Sequence, residues 1–138
     1  MITPEKALIR SIKQYLTMLE NNGVVTNVYG RRRRFYKDKS ATEYTPKQLR
    51  EAINFTVQGT VGDTLSVAVT NLRQRIRDQK LDIKILLPIH DAIICMCRDD
   101  RREECINTMR ESMSVNIPKI DLVLNTDTEV MPRYWGDS

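Results

Sequence analysis

The sequence predicts an α+β fold: a small antiparallel sheet with helices packed on one side, and a basic β-hairpin projecting from that body. Three observations lead there. Residues 46–79 keep their apolar side chains at helical spacing. Two nearly continuous apolar runs, 83–89 and 92–97, are separated only by the pair His90-Asp91. A β-branched run at 24–29 turns at Gly30 into four consecutive arginines.

Taken in order, the first element is a helix over residues 1–23. Thr3 suits its cap, Pro4 its first turn, and Gly23 its left-handed end. Leu8, Ile12, Tyr15, Leu16 and Leu19 give it one apolar face. A hairpin over 24–36 follows, turning around Tyr29-Gly30. Arg31, Arg32, Arg33 and Arg34 lie on its return strand, where alternate side chains share a face. Residues 37–45 are polar and read as a mobile loop. The long helix of 46–79 should bury Ile53, Val57, Leu65, Ala68, Leu72 and Ile76. Its Gly59 and Gly62 cost about 1 kcal/mol each against alanine, which suggests a close approach to the backbone or a bend.

The apolar runs then form a hairpin over 83–98, with His90-Asp91 as a two-residue tip and both faces buried. Asp99 and Asp100 should cap a helix that buries Cys105, Met109 and Met113. Ile120, Leu122 and Leu124 alternate as a third strand of the same sheet.

The chain has 138 residues, enough for a single domain or a piece of a larger one. With 41% hydrophobic and 29% charged residues it is globular in composition. It shows no membrane-length apolar run and no secretory leader pattern, so membrane and secreted classes are set aside. Cys95, Cys97 and Cys105 fit neither zinc nor disulfide spacing and read as reduced thiols. The net charge of +4 is unevenly spread. Residues 1–50 hold 11 Lys/Arg against 4 Asp/Glu, whereas residues 51–138 hold 11 against 14. A basic front half points to a phosphate-rich partner, or to a solvated basic surface.

Three features can carry chemistry. Arg50, Asn54 and Gln58 are spaced four apart and line one helix face. These side chains hydrogen-bond base edges, and the minor groove presents similar acceptors at every base pair, so such a row can grip duplex without reading its sequence. The same row also suits an ordinary solvated face. Asp91, at a buried tip, would need a partner for its charge, and a divalent cation such as Mg²⁺ would serve. His-Asp is equally a plain polar turn. The arginine run can clamp phosphates, or protect an exposed strand edge.

Together these residues resemble the C-terminal part of a family A DNA polymerase, the bacterial DNA polymerase I type. Asn22-Gly23-Val24-Val25-Thr26 followed by Gly30-Arg31-Arg32 is similar to the family's G-Y-V-x-T…G-R-R hairpin. Arg50-Glu51-Ala52-Ile53-Asn54-Phe55-Thr56-Val57-Gln58-Gly59-Thr60-Val61-Gly62-Asp63 is similar to its R-A-A-I-N-x-x-x-Q-G-T-A-A-D run. Ile89-His90-Asp91-Ala92 resembles motif C, V-H-D-E, and Trp135 resembles the usual C-terminal tryptophan.

The resemblance implies part of a polymerase palm. In it Asp91 is a catalytic carboxylate that holds Mg²⁺, and His90 lies near the primer 3′ end. Arg50, Asn54 and Gln58 contact primer–template DNA. Two positions depart from the pattern: Ala92 replaces the family's glutamate, and Pro88 stands where glutamine is common, which suggests an edge or bulged strand. Nothing resembles motif A or the fingers helix, so the chain should be inactive until a second polypeptide supplies them, as from a split or interrupted phage gene. Self-association is expected too, and the cytoplasm of a bacterium or phage-infected cell is the expected compartment. The alternatives are a non-catalytic nucleic-acid-binding module and a polymerase-interacting module derived from such a palm.

Overall fold

The computed structural model describes residues 3–119 and 122–131. Helix α1 runs Pro4–Asn22, strands β1 and β2 are Val24–Thr26 and Arg32–Arg34, and helix α2 is Pro46–Asp78. Strands β3 (Ile83–Ile89) and β4 (Ala92–Cys97) precede helix α3 (Arg102–Met113) and the short strands β5 (Asn116–Ile117) and β6 (Leu122–Val123). The class is α+β. The chain divides into two compact units, residues 1–63 and 64–138. Ile120 and Trp135 lie outside the described residues. Among those described, no helix is long and apolar enough to cross a membrane.

Local chemistry sets the ends of α1. The Thr3 side chain accepts from the Lys6 N–H, and Gly23 at φ 65° closes the helix by donating to the Leu19 carbonyl. A side chain at Gly23 would be strained by that φ and would meet the Tyr44 hydroxyl and the Phe35 carbonyl at 3.1 and 3.2 Å. The first unit's core gathers Leu19, Val25, Phe35 and Ala52, with Tyr15, Tyr44, Leu49 and Phe55 packed around them. Residues 37–45 are fastened rather than loose. Lys37 donates to the Thr42 carbonyl at 2.9 Å and lies over the Tyr44 ring, and Gln48 donates to the Tyr36 carbonyl at 2.7 Å.

The start of α2 is a reciprocal capping box. The Gln48 N–H donates to Thr45 Oγ1, and the Thr45 N–H donates to Gln48 Oε1, with Pro46 in the first turn. The buried side of α2 differs from the expected stripe, because Val57 is 56% exposed. The fully buried row begins with Ala52, Thr56, Thr60 and Thr64 and continues through Ala68 and Leu72, which are buried as expected, one residue every four. The hydroxyls of Thr56 and Thr60 donate to helix carbonyls, those of Ile53 and Thr56 respectively, which satisfies both buried donors.

In the second unit, Ala68 and Leu72 of α2 pack with Ile93, Val115, Ile85, Cys95, Met109 and Met113. Strands β3 and β4 pair antiparallel from Ile83↔Cys97 to Ile89↔Ala92, with a register shift between Ile85 and Leu87. The irregularity thus falls just before Pro88, which itself pairs with Ile93. Three expectations are corrected here. The third strand does not join this sheet, since β6 pairs with β5 and leaves β3–β4 as a separate two-stranded sheet. Nor are both hairpin faces buried: Leu86, Leu87 and Met96 are about half exposed. Asp99 and Asp100 also do not cap α3. They sit in a 3-10 turn, Asp99–Arg101, where Asp99 pairs with Arg102 and Asp100 with Arg98.

The cysteines are free. Burial, helped by neighbouring Cys97, pushes the Cys95 thiol up to about 11 and the Cys105 thiol up to about 12. Their thiolate fraction at pH 8 is then about a thousandth or less. Alkylation of Cys95 and Cys105 at that pH is expected to be at least tenfold slower in the folded chain than in urea. Mass mapping of the modified peptides checks this, and equal rates would contradict it.

Candidate nucleic-acid interface and hairpin carboxylate

Asn27 organises the turn between β1 and β2. Its side-chain carbonyl accepts from the N–H groups of Tyr29 and Arg31, both at 3.0 Å. Its amide donates to Asp63 Oδ2 at 2.7 Å, and the residue is only 3% exposed. Arg31 grips the same carboxylate: its Nη2 donates to Oδ1 at 2.6 Å and its Nε to both oxygens at 3.0 and 3.1 Å. The Asp63 carboxyl is held below its ordinary value, first by the Arg31 hydrogen bonds and then by Asn27, against the opposing effect of partial burial. A side-chain carbon at Gly59 would sit in ordinary contact with Asn27 Nδ2 at 3.4 Å, so the backbone there lies beside the latch without a clash that demands glycine. Among the described residues beyond its own turn of helix, nothing lies within 4 Å of where a side chain at Gly62 would start.

A depressed carboxyl stabilises the fold above its unfolded-state value and loses that contribution as pH falls through its folded value. The stability gap between the parent chain and Asp63→Asn is therefore expected to hold from neutral pH down to about 3.8 and to shrink below it. Thermal unfolding across that range measures it, and a gap that does not change with pH would contradict the latch.

The arginine strand has two faces. Val25 pairs with Arg33 across the hairpin, on the side of the buried Val25 and Phe35 side chains. Arg33 donates to Glu51 Oε2 at 3.3 Å and stacks over the Phe35 ring at 4.8 Å. Arg32 and Arg34 are exposed on the alternate side, with no ion pair or side-chain hydrogen bond among the described residues. Tyr36, two residues further on, is 74% exposed.

Arg50, Asn54 and Gln58 are all exposed along α2 in the first unit. Val57 and Val61 are exposed as well, so this helix side offers apolar surface beside polar side chains. His90 and Asp91 form the tip between β3 and β4 in the second unit. His90 has φ 53°, the left-handed geometry of a tight turn. Both residues are exposed, so water already solvates Asp91 and the expected desolvation of its charge does not arise. Among the described residues no three His, Cys, Asp or Glu side chains gather into a metal site. Asp91 fits one ligand of a Mg²⁺ site and not a whole one.

Sequence reasoning passed over Asn27 and the role of Asp63. Asn two residues before a turn N–H is a usable signal, because its side chain mimics a backbone turn. The Arg31–Asp63 pairing spans 32 residues and leaves no local trace. The Thr-Pro-Lys-Gln signature of the α2 cap was readable in the sequence.

Comparison with known proteins places these elements. The family model for DNA polymerase family A matches residues 6–137. DNA polymerase I of Chloroflexus aurantiacus is 30% identical over 125 residues, covering 91% of this chain and 13% of that protein. The thermostable DNA polymerase I of Thermus filiformis is 29% identical over 126 residues, covering 90% and 14%. Among solved structures, the POL domain of Pol1 from M. smegmatis, in complex with DNA primer-template and dNTP, superposes with a TM-score of 0.69 at 26% identity. That match covers 83% of this chain and 20% of the other. The chain thus spans about a seventh of the length of the two DNA polymerase I relatives, and by the match across residues 6–137 it belongs to DNA polymerase family A.

Proposed function

We propose that this chain is the C-terminal palm portion of a DNA-directed DNA polymerase, holding primer–template DNA and supplying one metal-binding carboxylate. The observation that carries this reading is the exposed row Arg50, Asn54 and Gln58, set in a run similar to the family's R-A-A-I-N…Q-G-T-A-A-D. The row and the basic hairpin contact the duplex through minor-groove acceptors and phosphates. The solved relative named as a complex with DNA primer-template supports DNA as the partner. Asp91 provides one Mg²⁺ ligand and His90 lies beside the primer end. Asp91 would be one of the residues holding Mg²⁺ in a complete enzyme, where the bound metal would supply Lewis-acid chemistry for nucleotidyl transfer.

By itself the chain is inactive, because a single carboxylate does not make the two-metal site. A second polypeptide carrying motif A and the fingers completes it, in the cytoplasm of a bacterium or phage-infected cell. The half-exposed Leu86, Leu87 and Met96 support such a covering segment or self-association. Primer extension with Mg²⁺ and all four nucleotides tests the reading: none is expected from this chain, and activity should appear when the second polypeptide is added. Extension by the chain alone would overturn the claim of inactivity. A complex that forms without extending primer would favour a second reading, a polymerase-interacting or DNA-binding module without catalysis, which Ala92 in place of glutamate supports.

A further inference from the structure

Four adjacent arginines look equivalent in sequence, yet their surroundings divide them in two. Arg31 spends its guanidinium on Asp63, and Arg33 is shared between Glu51 and the Phe35 ring. Arg32 and Arg34 face the other way, exposed and with no ion pair among the described residues, and the exposed Tyr36 follows them. We infer that, of the four hairpin arginines in the DNA-binding surface proposed above, only Arg32 and Arg34 contact duplex phosphates, while Arg31 and Arg33 are positioning residues that fix the strand against α2 through Asp63 and Glu51.

The physical argument is one of prior engagement. A guanidinium already paired with a carboxylate has its charge offset and part of its donor fork engaged, so turning it to a phosphate gains less. A guanidinium with no anionic partner contributes its full share of counterion release when it meets the DNA backbone. Strand alternation puts these two arginines about 7 Å apart on one side, so both can face the same stretch of a duplex backbone. The latch below them keeps that side from turning over: Asn27 and Arg31 tie the turn to Asp63, and the Val25–Arg33 pair sets the register.

The test is titration of a fluorescently labelled primer–template duplex with the intact chain over a series of salt concentrations. Arg32→Ala and Arg34→Ala are each expected to reduce the slope of log affinity against log salt by about 0.9, the loss of one phosphate contact. Arg33→Ala is expected to leave that slope unchanged. Arg33→Ala reducing the slope as much as the other two would overturn the division while leaving DNA binding intact. Salt-independent or absent binding by the parent chain would remove the DNA-binding reading itself, and this inference with it. The latch has its own readout in thermal unfolding of Arg31→Ala, Asp63→Ala and the double variant. The double should fall little further than either single, and additive falls would show that the two side chains do not act as a unit.

Discussion

Replacing Asp91 with asparagine is expected to cut primer extension by about a thousandfold or more in a polymerase completed by a second chain carrying motif A and the fingers. The substitution keeps the shape of the side chain and removes its charge. Under the proposed function, charge is what a divalent cation would take from this position, and its contribution at the reacting phosphate would be several kcal/mol, with each 1.36 kcal/mol worth about tenfold in rate. The fold should not notice. Asp91 is exposed in a two-residue turn, and asparagine suits such turns as well as aspartate does. The measurement pairs single-turnover extension with DNA affinity and a thermal midpoint. Extension within tenfold of the parent, with both controls unchanged, would show that Asp91 is not a catalytic ligand.

The second large effect falls on stability. Asn27→Ala removes one hydrogen bond to Asp63 and the acceptor for two backbone N–H groups at a site that is 3% exposed. A buried hydrogen bond contributes about 1 kcal/mol net, and leaving its partner unsatisfied costs about 1–3 kcal/mol, so a loss of about 3 kcal/mol is expected. Asn27→Asp separates geometry from charge. It retains the acceptor for the backbone but sets a second carboxylate against Asp63, where the amide now stands at 2.7 Å. It should therefore fail to rescue at neutral pH and improve in acid, as one of the two carboxyls takes up a proton. Urea unfolding of the three chains decides the matter, and a loss under about 1 kcal/mol for the alanine variant would remove Asn27 from its place at the centre of the turn.

The contrast between these two residues shows what a sequence discloses. Thr3, Pro4 and Gly23 mark the ends of α1 because capping acts between residues three or four apart. The His90-Asp91 tip was readable for the same reason, standing between two apolar runs that must turn back. The strand near residue 122 was readable as a strand, but its partner was not. Alternation reports a half-buried strand and is silent on which edge it joins, and here the nearby Asn116–Ile117 won over the β3–β4 hairpin. The buried side of α2 was misread for a different reason. Hydropathy favoured Val57, whereas burial followed Thr56 and Thr60, whose hydroxyls are satisfied by their own helix.

That threonine-lined row governs where α2 can accept change during evolution or engineering. Ala52, Thr56, Thr60, Thr64 and Ala68 are all small, and each is under a tenth exposed, so an added methylene group meets neighbours already at full density. Overfilling there costs about 1–3 kcal/mol per site. Residues 50, 54, 57, 58 and 61 stand in the open and carry no such penalty. Packing thus restrains only one side of this helix, and under the proposed function any restraint on the open side comes from DNA contact rather than from the core.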